Sequence, residues 1–515
     1  MSENEQKKNK DLSSGLTSPK TAREQKQRQE ERRSNLMYGT IAVLFVIVAV
    51  ICLIWKSNVI PKHAAAVSID GEKYTAAEVN FHFQNAYQSF VNQNYNYLSM
   101  LGLDPSKDLK SQQFGEQTWH DFFLDQALTQ MVNVEKLNAA AEKEDFQWTD
   151  ALQAQLDTSL ASVKTTASAS GYTEKQYLAA IYGSTMTPKT YEEQLRRSLL
   201  AEAFMQEYTD SLTYSDDQLV ESYQADPNSF DRVSYSSIRV NGAPASSDAE
   251  GNEIEVTDEM REQAMAEAKA AANDLLASWK ASSSQSKETM DKLAEKNDKA
   301  SATHTDAGTY TDNVLGNWLF DNSRRAGDSA VLEDKDSSCY YVVHFWDRFR
   351  EEYPLVNVRH ILIAPEATTL TTEDPGYEED VAAKKAEAKK KAEKILKDWT
   401  SGKADEESFI ALVKEYSADT GSVPDGGLIP EIAKDSHLVP PFLDWCFEEG
   451  RAVGDSGIVE SDYGYHIMYL SSFGEPRWKA QVQDKLASDD FEVWFADIVG
   501  DTKAEQHSFG MKFVG

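Results

Sequence analysis

Beyond residue 230 the chain repeats itself, and the repeat limits its fold more than any other feature. AEAKAAANDLLASW (266–279) and AEAKKKAEKILKDW (386–399) agree at seven of fourteen positions. WLFDNSRRAGDSAVLE (318–333) and WCFEEGRAVGDSGIVE (445–460) agree at seven of sixteen. DAGTY (306–310) and DGGLI (425–429) lie between these pairs, and VSYSSIRV (233–240) stands where VNVRHILI (356–363) stands. Segments agreeing in order define two copies of one module, each roughly 120 residues: a strand, a long helix, shorter helices, then two strands around a turn.

The copies differ where chemistry could reside. Read as a strand, VRHILI (358–363) puts Val358, His360 and Leu362 on one face and Arg359, Ile361 and Ile363 on the other. Alone, His360 reads as a core histidine bonded to backbone. The closing strand of the second copy, YGYHIMYL (463–470), carries His466; the first copy has Ser237 and Tyr341 in these two places. The histidines are present together or absent together, which maintenance of the fold does not require. They read as a pair with a task.

Residues 34–55 carry no charge and run long enough to cross a bilayer as a helix. Nine Lys/Arg against six acids in residues 1–33 place that tail in the cytoplasm and the body outside. A cleaved signal peptide, with the small residues HAAAV at 63–67, is the rival. The net charge of −33 argues against nucleic acid and against lying flat on anionic lipid. Three cysteines exclude a disulfide framework. Cys339 and Cys446 read as buried thiols.

AVSIDGEKYTAAEV (66–79) reads as a strand, a turn at Asp70-Gly71 and a helix start, with Thr75 and Glu78 at capping-box spacing. Long helical patterns follow, beginning near Thr118, Thr149 and Thr173, then 191–212 and a capped helix in SDDQLVESY (215–223). The aromatic stripe Phe81, Phe83, Tyr87, Phe90, Tyr95 and Tyr97 reads as core, with a client-binding surface as the other reading.

The second copy resembles the parvulin family of peptidyl-prolyl cis/trans isomerases. The resemblance rests on HILI, YSADTGS (416–422), Gly426-Gly427, LVPPFLDWCF (438–447), Gly454-Asp455 and YGYHI. The whole chain resembles exported foldases of the SurA and PrsA type. The implied fold is α+β and multidomain, ordered as a basic tail (1–33), a transmembrane helix (34–55) and a helical chaperone domain (64–228). A degenerate parvulin-like domain (229–350), an intact parvulin domain (354–474) and a C-terminal segment (475–515) that could complete the chaperone domain follow. Each parvulin-like domain implies a small antiparallel sheet with surrounding helices. The resemblance puts His360 and His466 at the floor of the site, Asp419 in the place held by cysteine or aspartate, and Ser461 as a hydroxyl beside the histidines. Leu438 and Phe442 fall at the proline pocket, with Ile429 on its wall. Thr303 to Gly308 supplies no convincing acid in the Asp419 place, so the first copy reads as non-catalytic.

The expected function is prolyl isomerisation and chaperoning of exported polypeptides on the outer face of the membrane, without cofactor or metal. The alternative is a tethered holdase with a vestigial site. GDSG (454–457) matches a protease nucleophile loop, but GDSA (327–330) makes it a shared turn. The nine histidines show no HExxH or close Cys/His spacing for zinc. KKAEAKKKAEK (384–394) reads as a solvated helix face. Protonating either histidine should lower activity across the ordinary histidine range, pH 7.5 to 5 being the window expected to show it.

Overall fold

A computed structural model describes residues 43–49, 62–247 and 251–515. The expected membrane segment 34–55 lies mostly outside them; residues 43–49 are helical. Among the described residues, no helix is long and apolar enough to cross a membrane. The chain divides into two compact units, 1–212 with 490–515, and 213–489.

In the first unit, β1 (Ala65–Ile69) and β2 (Glu72–Thr75) form a hairpin. Its turn, Asp70-Gly71, has positive φ at both residues (50° and 87°), as a tight hairpin turn demands. The capping box expected at Thr75 is present: Thr75 N–H donates to Glu78 Oε2 at 2.6 Å and starts α1 (Ala76–Gln93). Thr118, Thr149 and Thr173 are the N-caps of α2 (Trp119–Lys143), α3 (Asp150–Ala169) and α4 (Glu174–Tyr182). The fifth helix, α5, covers Pro188–Ser211. Trp119 and Phe123 are buried at the centre, with Phe83, Tyr87 and Phe90 packed on them. Tyr95 and Tyr97 leave the expected core stripe, 74% and 57% exposed, because α1 ends at Gln93 and they sit on the 3-10 turn beyond it. The late strand β13 (Glu505–Gln506) pairs with β1, so residues from the C-terminal segment close this sheet.

In the second unit, two four-stranded antiparallel sheets share one topology. The first contains β5 (Arg232–Asn241), β6 (Ala300–Gly308), β7 (Ser329–Asp334) and β8 (Cys339–Phe349), in the order β6-β5-β8-β7. The second contains β9 (Pro354–Ile363), β10 (Leu428–Ile432), β11 (Ser456–Ser461) and β12 (Gly464–Pro476), in the order β10-β9-β12-β11. Register aligns the copies residue by residue: Arg239 pairs with Tyr341 as Leu362 pairs with His466. A long helix packs on each sheet, α7 (Asp258–Ala281) and α10 (Tyr377–Thr400), anchored by Trp279 and Trp399. The charged run 384–394 belongs to α10, with Ala388, Ala392, Ile395 and Trp399 on its buried face.

The helix Asp216–Ala225, placed with the chaperone domain by its sequence position, falls in this unit. Leu219 packs with Phe230, Trp478 and Val482. The compact boundary therefore lies at Leu212, where the expected one lay at 228. Both GDS segments are structural turns. Gly327 and Gly454 take φ of 96° and 91°, and their N–H groups donate to Phe345 O and Leu470 O, each at 2.9 Å.

Candidate active site

His360 on β9 and His466 on β12 are diagonal neighbours, since Met468 stands opposite His360 and Leu362 opposite His466. They share a sheet face, both buried, with Nδ1 atoms 3.2 Å apart. The loop after α11 (Glu406–Tyr416) delivers the next group. Ser417 Oγ accepts the Leu362 N–H at 3.1 Å, and Ala418 N–H donates to Leu362 O at 2.8 Å. That anchor puts Asp419 Oδ2 2.8 Å from His360 Nε2. At the other end, Ser461 Oγ lies 2.8 Å from His466 Nε2. The four polar groups expected at the site are therefore brought together.

Sequence reasoning missed Ser422. Its buried hydroxyl donates to Asp419 Oδ2 at 2.6 Å. The available signal was a hydroxyl three residues after the acid, inside the quoted YSADTGS.

The network has one direction. Burial pushes the Asp419 carboxyl up, but hydrogen bonds from Ser422 and His360 outweigh this and hold it below its ordinary range. As a carboxylate it only accepts, so His360 Nε2–H donates to it. His360 is kept neutral by burial, which lowers its pKa against the opposing effect of Asp419. Its Nδ1 is then bare and accepts from His466 Nδ1–H. His466 Nε2 in turn accepts from the Ser461 hydroxyl. The tautomers follow from the hydrogen-bond chain Ser461, His466, His360, Asp419.

Burial, then the neighbouring His360, lowers the His466 pKa to about 4. This moves the pH expectation. Activity should stay level from about pH 7.5 to about 5.5 and fall only towards pH 4, rather than across the ordinary histidine range. Stability has the same sign. The unfolded rings bind protons below 6.5 while folded His466 does not until about 4, so the module loses stability as pH falls through that window. Activity and urea midpoints measured across the window test both; an activity loss centred near pH 6.5 contradicts them.

Beside the rings lies the apolar part. Phe442, on α12 (Pro440–Cys446), stands edge-on to His360 and His466, with centroids 5.5 and 5.6 Å away. Ile429 and Leu438 are partly buried against the same cluster, which also contains Val459 and Met468. Cys446 is buried and its thiol is pushed up to about 12, which removes it as a nucleophile. Cys339 is likewise a free, buried thiol.

The first copy builds no equivalent. Ser237 and Tyr341 hold the two histidine positions in the aligned register. Tyr235 replaces Val358, and Asp306 pairs with Lys287 instead of reaching the sheet centre.

This sheet, with its paired histidines and flanking apolar cluster, has the arrangement of a parvulin-type domain. Residues 342–472 match the PPIC-type PPIASE domain family, and residues 28–205 match the SurA-like N-terminal domain family. The two matches fall on separate parts of the chain, the SurA-like one ahead of the PPIC-type one. It is 31% identical over 142 residues to foldase protein PrsA of Clostridium botulinum (strain Okra / Type B1), covering 27% of this chain and 34% of that one. It is 32% identical over 117 residues to chaperone SurA of Chromohalobacter salexigens, covering 21% of this chain and 26% of that one. The chain thus spans about a third or less of the length of these relatives. The crystal structure of PrsA from Bacillus subtilis aligns at 15% identity and a TM-score of 0.28, covering 75% of this chain and 88% of that one.

Proposed function

We propose that the chain is a peptidyl-prolyl cis/trans isomerase and chaperone for exported polypeptides. The isomerase site lies in 354–474, and the first unit holds unfolded clients. The observation that carries this is the one-way hydrogen-bond chain Ser461–His466–His360–Asp419, set against the apolar cluster around Phe442.

Rotation about an X–Pro bond meets a barrier of about 18–20 kcal/mol, because twisting breaks amide resonance. A site lowers it by binding the twisted amide better than either planar form. Twisting reduces the amide's charge separation, so an apolar pocket of Phe442, Leu438 and Ile429 around the proline ring favours that state over water. The neutral histidine pair supplies orientation rather than a nucleophile, fixing Asp419 and Ser461 at the two ends of the pocket floor. A protease-coupled assay with a proline peptide tests this on the full chain; no rate above background overturns it.

The segment after β9, APEATTLTTEDPGYEED (364–380), a loop running into the first turn of α10, contains Glu366, Glu373, Asp374, Glu378, Glu379 and Asp380 and no Lys or Arg. A phosphate dianion before proline would be repelled there. Plain Ser-Pro peptides should therefore be turned over at least as fast as their phosphorylated forms, and a strong preference for the phosphorylated peptide would refute this.

The tail's nine Lys/Arg against six acids and the uncharged run 34–55 support a tethered protein with its N-terminus in the cytoplasm and its body outside. Exposed Tyr95, Tyr97 and Met100 in the first unit favour a second reading, in which holding dominates and isomerisation is dispensable.

A further inference from the structure

Arg359 immediately precedes His360 on β9, so its side chain leaves the opposite face of the sheet. There its Nε donates to Glu406 Oε1 at 2.6 Å. Its Nη1 donates to the carbonyl oxygens of Asp425 and Gly426, at 2.7 and 3.0 Å. Ser471 Oγ donates to the same Glu406 oxygen at 2.6 Å. The Arg359 side chain is only 14% exposed.

The two carbonyls end the loop whose beginning carries Asp419. Ser422 O accepts the N–H groups of Asp425 and Gly427, at 3.1 and 2.8 Å, and Gly427 O accepts the His360 N–H at 2.9 Å. Gly426 has a φ of 65°, and a Cβ there would lie 3.0 Å from Arg359 Nη1 and 2.9 Å from Ile410. The guanidinium thus packs directly on the turn that presents Ser422 and Asp419 to the other face.

The first copy supplies a comparison within the chain. Register aligns Ser236 with Arg359, and the bulge that skips Ser471 on β12 skips Trp346 on β8. At the helix starts, Lys287 follows its N-cap as Glu406 follows Asp405. All three members of the clamp are replaced in the copy that lacks both histidines. The replaced face is still satisfied, with Trp346 Nε1 donating to Ser236 Oγ at 2.9 Å and His304 Nδ1 2.8 Å from it. Folding of the module does not require the clamp.

We propose that Arg359, braced by Glu406 and Ser471, is a positioning residue for the site, holding the Asp419–Gly427 loop so that Asp419 meets His360. The inference rests on the isomerase reading above.

In the full chain, Arg359→Ala should lower kcat/KM for a proline peptide by about tenfold or more. Arg359→Lys should recover only part, because one ammonium cannot hold a carboxylate and two carbonyls in a fixed fork. The ring nitrogens of His360 and His466 report positioning directly. Nitrogen NMR should show one fixed tautomer for each ring in the wild-type chain and exchange between tautomers in Arg359→Ala. Glu406→Gln is the milder variant and should move both readouts in the same direction. A folded Arg359→Ala with wild-type tautomers and activity within about twofold of wild type overturns the inference. If Arg359→Ala does not fold, the same result in Arg359→Lys and Glu406→Gln overturns it. An inactive wild-type chain would count against the isomerase reading alone, and the tautomer comparison would still decide this one.

Discussion

Replacing His360 and His466 together by alanine is expected to lower isomerase kcat/KM by roughly ten- to a hundredfold while leaving suppression of client aggregation intact. The loss follows from the network. Each hydrogen bond contributes roughly 0.5–1.5 kcal/mol net, and each ~1.4 kcal/mol is tenfold in rate. The double variant removes all three bonds of the chain and leaves Asp419 and Ser461 without their oriented partners. It also strips both rings from the edge-on contact with Phe442. A proline-peptide assay and an aggregation assay, run on the same preparation, separate the two activities. Unchanged isomerisation would remove the histidine pair from the mechanism. Loss of aggregation suppression with the fold intact would join holding to the isomerase site.

The second large effect lies in the first unit. Trp119 is fully buried where α2 begins, stacked on Phe114 at 4.2 Å and in contact with Phe90, Phe122 and Phe123. Trp119→Ala leaves a cavity that rigid neighbouring rings cannot fill, and should cost about 3–5 kcal/mol. With two compact units, unfolding need not be two-state. A urea titration followed by calorimetry should show the transition of the first unit moving down while isomerase activity persists. A midpoint unchanged within error would show that the aromatic cluster is not the unit's core. If the cluster anchors the client-holding surface, aggregation suppression falls with it.

The short elements were legible because their signals are local. Thr75, Thr118, Thr149, Thr173 and Ser215 cap helices where hydroxyl-led patterns announced them. Asp70-Gly71 turns the hairpin because those two residues tolerate positive φ. Tyr95 and Tyr97 misled because helical spacing continues in sequence after the helix has stopped. The stop is made at Asn94, whose backbone N–H and Nδ2 both donate to Phe90 O, at 3.0 and 2.9 Å.

By itself the sequence determined that two homologous modules exist, that one alone carries a histidine pair, and that the pair sits among parvulin-like segments. These are one-dimensional facts, carried by periodicity and by comparison of one copy with the other. Only the tertiary structure decided that Ser422 joins the acid, that the hydrogen-bond chain runs one way, that Arg359 grips the loop from behind, and that Glu505–Gln506 closes a sheet begun at Ala65. Apart from Ser422, which stands three residues from its acid, each depends on contacts between residues far apart in the chain. Proton placement depends further on burial, which keeps the two rings neutral, and on the hydrogen bonds that keep Asp419 ionised against it.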